Sequence, residues 1–178
     1  MSAITLSRVQ TGNARERFLP LLLLADESEA QVRSYMHQGE LYAFFANDRS
    51  TDAVGIVLAI PTESDTVELK AVAVDPPLQG QGIAKQMLRL ALEDIRASGA
   101  RRVIVGTANA GIGQLALYQK VGFRLLRVER DFFSPARGYP EVMQDNGIRL
   151  RDMVWMDLTY PATAPSPFPS ACESHEEN

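Results

Sequence analysis

The stretch Gln79-Gly80-Gln81-Gly82-Ile83-Ala84 decides how this chain is read. It follows a β-branched run, residues 67–74, and the chain-stopping Asp75-Pro76-Pro77. It opens a segment, 82–98, in which Ile83, Met87, Leu88, Ala91, Leu92 and Ile95 fall at helical spacing. The start of a helix leaves N–H groups without intrahelical partners, and the helix dipole adds to their attraction for an anion. Gly80 and Gly82 remove side chains that would keep a phosphate from the backbone. The loop has the parts of a diphosphate cradle that needs no lysine. A glycine turn that merely starts a helix has the same appearance.

Three phosphate-binding patterns compete for such a loop. A P-loop requires GxxxxGK[ST], which does not occur in the chain. A dinucleotide fingerprint, GxGxxG, requires glycine where Lys85 stands, and the next strand-like run leads into Gly106-Thr107 instead of an acidic residue for a ribose. The third pattern is Q/R-x-x-G-x-G/A, and Gln79, Gly82 and Ala84 meet it at every position.

Outward from the loop the chain is a series of short elements. Residues 4–9 alternate apolar and polar and predict a first strand. Asn13 reads as the cap of a helix through Arg15, Phe18, Leu22 and Leu23, which Pro20 kinks or divides. Ser28 reads as the cap of a second helix, with Val32, Tyr35 and Met36 on one face and Gly39 ending it. Runs 41–46 and 53–60 flank a polar turn and predict an antiparallel hairpin. Beyond the helix at 82–98 come a short buried strand, 102–105, and an amphipathic helix, 112–121, closed by Gly122. Strands 123–128 and 153–158 complete a mixed α/β (α+β) domain over residues 1–160, with about seven strands. Residues 161–178 carry four of the ten prolines and no periodicity, which predicts a mobile tail outside the fold.

Composition narrows the function classes. The 178 residues are 46% hydrophobic and 22% charged with a net charge of −4, an ordinary globular balance that argues against a nucleic-acid partner. The single cysteine, Cys172, allows no intrachain disulfide, and no Cys/His cluster is spaced for zinc, so a reducing cytoplasmic setting without a metal is expected. The apolar run 19–24 is far shorter than the ~20 residues that span a bilayer, and the first ten residues lack a signal-peptide core, so no membrane is expected.

A second signature lies downstream, at Leu117-Tyr118-Gln119-Lys120-Val121-Gly122-Phe123. A strand, prolines, Q-x-x-G-x-A, a long helix, a strand and then L-Y-x-K-x-G-F together resemble the GNAT superfamily of acetyl-CoA-dependent N-acetyltransferases, over roughly residues 41–158. Asp131-Phe132-Phe133, Tyr139-Pro140-Glu141, Asn146-Gly147-Ile148 and Arg151-Asp152-Met153 resemble the C-terminal region of a bacterial subgroup.

The resemblance implies a mostly antiparallel sheet that splays between strands four and five, flanked by about four helices. It implies that the pantetheine arm of acetyl-CoA lies on the backbone of Val72, Ala73 and Val74, with its pyrophosphate on Gln79, Gly80, Gln81, Gly82, Ile83 and Ala84. Tyr118 matches the tyrosine that protonates the departing thiolate, though it could simply pack in the core. Glu68 matches the strand position of the base in histone acetyltransferases, with an ion pair to Lys70 as its ordinary alternative. The family's asparagine seven residues before the tyrosine is here Gly111. Asn109, two earlier, either reaches the pantetheine or caps the helix.

The activity implied is acetyl transfer to a primary amine of a small molecule or peptide, by direct attack within a ternary complex. A catalytically silent acyl-CoA sensor is the other reading. Asp131, Glu141 and Asp145 would favour a cationic acceptor if they face the cleft, and are otherwise a solvated loop. His37 is expected at the surface and Trp155 in the core, and nothing positions Cys172 as a nucleophile. The last strand, 153–158, is the candidate interface for a homodimer.

Overall fold

Three antiparallel steps build the first half of the sheet, and one parallel step turns it into a site. The computed structural model describes residues 4–9, 12–26, 28–46, 51–63 and 65–161. Strand β1 (Thr5–Val9) is followed by a 3-10 turn (Asn13–Phe18), α1 (Leu19–Leu22) and α2 (Glu29–Tyr35). Then come β2 (Glu40–Phe45), β3 (Ala53–Glu63), β4 (Thr66–Val74), α3 (Ile83–Ala97), β5 (Arg102–Ala108) and α4 (Ile112–Val121). The chain continues through β6 (Arg124–Glu129), β7 (Gln144–Asp145), β8 (Ile148–Arg149) and β9 (Met153–Thr159). The main sheet has seven strands in the order β1-β2-β3-β4-β5-β9-β6, and only β4 and β5 run parallel.

Two findings in the strands depart from the sequence expectation. The last strand does not lie at an edge: β9 is paired along its length between β5 and β6, which leaves β1 and β6 as the outer strands and removes β9 as a dimer interface. A small second sheet, β7–β8, is also present. Its turn is Asn146-Gly147, with φ of 51° and 72°, the left-handed pair that a two-residue hairpin demands.

Each face of the sheet has its own core. Tyr42, Phe44, Val57, Leu69, Val103, Val105 and Met156 face α3 and α4, where Met87, Leu88, Ala91 and Ile95 meet them. Leu41, Ala43, Ile56, Leu58, Ala71 and Ala73 face α1 and α2, against Leu22, Val32 and Met36. The alternation from Leu41 to Phe44 and from Ile56 to Ala59 is the period-two pattern of strands covered on both sides.

The N-terminal helix is divided at its proline, but Asn13 does not cap it. Gly12 precedes the 3-10 turn without a side-chain cap, and Pro20 falls in the first turn of α1, where its missing N–H is not needed. Ser28 does cap α2, accepting from Gln31 N at 3.4 Å. Arg15 is the largest fully buried side chain among the described residues. It donates to the carbonyls of Met36, Gln38 and Gly39 at 2.9, 2.8 and 2.7 Å. Those carbonyls belong to the C-cap of α2 and the turn after it, so a cation there suits the helix end and fastens it to the start of β2. Trp155, expected in the core, is only half-buried and donates to Glu129 at 3.0 Å.

One polar cluster ties the sheet edge to the long helix. Arg8 on β1 donates to both carboxylate oxygens of Asp94 at 2.6 Å, and Tyr42 on β2 donates to Oδ2 at 2.8 Å. The Arg8 hydrogen bond, followed by that of Tyr42, holds the Asp94 carboxyl below its usual range in spite of partial burial. Its proton therefore binds the unfolded chain more tightly. The stabilisation is complete above the unfolded value of ~3.9 and is lost as pH falls through the lower folded value. Because Arg8 is half exposed, Asp94→Asn is expected to cost only about 1 kcal/mol at pH 7. The difference from the unmodified protein should vanish in acid, as followed by urea denaturation across pH.

Candidate active site

The site begins where β4 and β5 part. Thr66, Val67, Glu68 and Leu69 pair with Arg102, Val103, Ile104 and Val105, and the ladder stops there. β4 continues to Val74 against β3 alone, and β5 continues to Ala108 against β9 alone. The register of β3 and β4 skips Lys70: Leu58 faces Ala71 and Ala59 faces Leu69. Such a bulge sharpens the local twist and swings the rest of β4 away from β5.

The parting exposes main-chain groups in a definite order. Asp75 N donates to Val54 O at 2.9 Å, so the main chain at Asp75 faces β3. Main-chain groups alternate along a strand, so Ala73 faces β3 too, while Val72 and Val74 face the gap. The Val74 carbonyl is engaged by the side chain of Gln79, Nε2 to O at 3.0 Å. The N–H and C=O of Val72 and the N–H of Val74 are left to line the gap.

At the mouth of the gap is the glycine loop. Gly82 is the residue before α3, with φ of 80°, a left-handed conformation that L side chains rarely adopt. A Cβ built at Gly80 or Gly82 meets nothing within 4 Å, so these positions are open. The first intrahelical bond is Gln86 N to Gly82 O. The N–H groups of Ile83, Ala84 and Lys85 precede it and have no acceptor among the described residues. Gln81 folds back on the turn, donating to Pro77 O at 3.2 Å.

Tyr118 is held behind the gap by the way α4 ends. Gly122, with φ of 115°, lets its own N–H reach Gln119 O and the Phe123 N–H reach Tyr118 O, both at 3.0 Å. This is a Schellman motif, and its hydrophobic contact is the edge-on packing of Tyr118 against Phe123 with ring centroids 5.7 Å apart. The Tyr118 residue is 5% exposed, and its hydroxyl has no hydrogen-bond partner among the described residues. Burial pushes the phenol well above the ordinary tyrosine range, so it keeps its proton at neutral pH. Glu68 lies on the other face of the sheet, 18% exposed and 3.3 Å from Lys70 Nζ. The two side chains can act on one molecule only through the gap.

A model of the acetyltransferase (GNAT) family matches residues 13–123. The chain belongs to this family. The uncharacterized N-acetyltransferase YvbK of Bacillus subtilis (strain 168) is 39% identical over 154 residues, covering 85% of this chain and 96% of the relative. A Bacillus subtilis acetyltransferase solved in complex with CoA has a TM-score of 0.80 at 36% identity, covering 89% of this chain and all of that one. A GNAT acetyltransferase from Elizabethkingia anophelis with acetyl-CoA bound has a TM-score of 0.79 at 32% identity, over 90% and 100% of the two chains. GNAT proteins are acyltransferases, and the splayed seven-stranded sheet with four helices is their fold.

Asn109 neither caps α4 nor stands free. Its Oδ1 accepts from Arg151 N and Asp152 N at 2.9 and 3.1 Å, and its Nδ2 donates to Arg149 O at 3.0 Å. It binds the approach to β9 onto the end of β5, and a single amide hydrogen remains for any ligand.

On the α2 side of the gap, sequence reasoning missed most of the residues. Tyr35 donates to Asp26 at 3.4 Å, and Lys70 Nζ lies 5.4 Å from the centre of the Tyr35 ring. Burial, then Asp26, and more weakly the charges of Tyr139 and Glu68, push the Tyr35 phenol upward. Tyr139 is raised by burial and by the same Asp26. It packs on Phe133 with ring centroids 5.0 Å apart. Asp131, Glu141 and Asp145, the acidic residues expected there, are solvent-exposed; Asp26 reaches both tyrosines, Glu68 reaches Tyr35, and Arg137 opposes Asp26 at Tyr139. His37 is exposed beside Glu16. Cys172 lies outside the described residues, and no cluster able to hold a metal occurs among those that are described.

Replacing Asn109 with alanine tests its anchoring role. Amide exchange at Arg151 and Asp152 should accelerate, corresponding to a local loss of about 1–3 kcal/mol, while exchange in α3 stays as it was.

Proposed function

We propose that this chain transfers the acetyl group of acetyl-CoA to a primary amine of a small molecule or peptide, both substrates being bound at once. The observation that carries this reading is the continuity of the gap: unpaired main chain on Val72 and Val74, an open helix start at Gly80–Ala84, and a proton-bearing Tyr118 hydroxyl behind them. The bound structures of two GNAT relatives support it.

Acetyl-CoA supplies an acetyl thioester, and the residues present fit it. The amides of a pantetheine arm match the N–H and C=O groups that Val72 and Val74 turn toward the gap. The N–H groups of Ile83 and Ala84 suit a pyrophosphate, and the empty space over Gly80 and Gly82 admits it. Gln79 holds the Val74 carbonyl back from the gap, which leaves a donor, the Val74 N–H, beside the place where negative charge would develop. Tyr118 keeps a proton for the departing sulfur. Thiols have a reference pKa of ~8.5 and phenols ~10, so a nearby donor suffices.

The amine enters from the α2 face. Glu68 receives its proton, directly or through water, with Lys70 as its partner at rest. Asp26 and Glu68 stand against Lys70 and Arg137 in this cluster, and Tyr35 and Tyr139 supply aromatic surface, which suits an amine on an apolar stem.

Two variants separate the roles. Tyr118→Phe should lower kcat by about 10²-fold while CoA affinity stays nearly unchanged, and an unchanged kcat would remove Tyr118 from the chemistry. Gly82→Val should abolish CoA binding in calorimetry by straining the left-handed position and covering the N–H groups. Retained affinity would reduce the loop to a turn.

A further inference from the structure

Gly106 is the first residue of β5 beyond the end of the β4–β5 ladder, so it borders the gap. Val105 before it points into the α3–α4 core, which turns Gly106 to the opposite face, with Glu68 and Ile104. The core beneath α1 and α2 takes residues from β2, β3 and β4 and none from β5, β6 or β9. Over these three strands the amine face of the sheet carries other side chains instead. A Cβ at Gly106 would meet Met153 Sδ at 2.9 Å and Trp155 Cζ3 at 3.2 Å, so both side chains rest on the glycine.

The indole of Trp155 lies across β9. Its N–H donates to Glu129 on β6, and the edge of its six-membered ring reaches Gly106 on β5. Arg127 lies over one face of the ring, 5.0 Å from its centre. What the indole turns to the gap is its edge. The edge of an aromatic ring carries partial positive charge and the face partial negative, so an edge repels an ammonium and attracts the face of another ring. The carboxylate beside it gives a second cation no foothold, because Glu129 already accepts from Trp155, Arg127 and Arg137. Arg137 also lies over Phe132, whose ring packs with those of Phe133 and Tyr139. An aromatic wall thus stands next to the indole.

We infer that the acceptor is an arylalkylamine, a single primary amine joined by a short stem to one aromatic ring, and that Trp155 selects it. The inference rests on the acetyl-transfer reading above. The face of the acceptor ring packs on the edge of Trp155 and beside the sulfur of Met153, a favourable partner for an aromatic rim. The nitrogen lies beside Glu68. Glu68 stands level with Ile104, two residues before Gly106, a separation of ~7 Å along the strand that a ring on a two-carbon stem can span. A linear polyamine would set its second charge against the indole edge, and a plain alkylamine would leave that edge without a partner.

Trp155 is the only tryptophan of the chain, so its fluorescence reads this site without catalysis. Phenethylamine should protect the half-buried indole from quenching by acrylamide in a saturable way, and butylamine and spermidine should not. In thiol release from acetyl-CoA, phenethylamine should exceed both in kcat/KM by about tenfold. Trp155→Leu, with an unchanged circular dichroism spectrum, should collapse that preference through a higher KM for phenethylamine at little-changed kcat. Trp155→Phe, which keeps an aromatic edge, should retain most of it. Thiol release with butylamine or spermidine as fast as with phenethylamine overturns the inference and leaves acetyl transfer standing. Saturable protection by phenethylamine without thiol release from any amine supports the aromatic site and overturns the transfer reading instead. Absence of protection in the unmodified protein overturns the inference whatever the variants do.

Discussion

Everything at this site depends on the point where β4 and β5 lose each other. Two parallel strands in a sheet interior normally pair to their ends, because an unpaired buried N–H or C=O is costly. Here β9 holds β5 through Ala108 and β3 holds β4 through Val74, so neither strand frays when the two separate after Leu69 and Val105. The bulge at Lys70 starts the divergence. Asp75-Pro76-Pro77 then turns β4 out of the sheet, and the proline pair has no N–H to offer any ladder. The gap is therefore held open from both flanks, and Gln79 satisfies one of the carbonyls that the parting releases.

The two short signatures acquire separate physical meanings from this frame. In the loop, glutamine is a clamp on Val74, and Gly82 is the left-handed hinge that aims the N–H groups of α3 at the gap. In the second signature, glycine and phenylalanine are the end of a helix. Gly122 permits the Schellman turn, Phe123 supplies its N–H and its ring, and both act on Tyr118. The tyrosine is thus oriented by the residues that terminate its own helix. Either glycine replaced by a β-carbon-bearing residue would move a functional group without touching it.

How far the sequence alone revealed this follows the range of the forces involved. Signals that act within a few residues were legible. These include the amphipathic spacing of α3, the Ser28 cap, the close of α4 at Gly122 and the division of the first helix at Pro20. Relationships set by partners far away in sequence were not. Nothing near residue 153 says that β9 inserts between β5 and β6, since its alternation is equally compatible with an edge. Asn109 stands out in the sequence, but the three groups it binds lie about forty positions downstream. The Lys70–Tyr35–Asp26 cluster joins β4, α2 and the connection before α2, and leaves no trace in any single one. The β7–β8 hairpin is a different case, because Asn146-Gly147 is a strong local turn signal in its own right.

The placement of the two titratable candidates on opposite faces explains why a splayed sheet suits acyl transfer from a large donor to a small amine. Tyr118, in the α3–α4 core, has its hydroxyl proton retained by burial, and water there is scarce. Glu68, beside Lys70 and Tyr35, belongs to a half-open polar surface that a substrate can reach. A continuous sheet would insulate the two. On the proposed reading, a gap between two adjacent strands brings them onto a shared molecule while keeping their surroundings distinct, buried on the thiol side and half-open on the amine side. On the proposed reading, the proton leaving the amine and the proton given to sulfur need never meet. The sheet keeps the acid and the base from neutralising each other, and only the acyl group crosses.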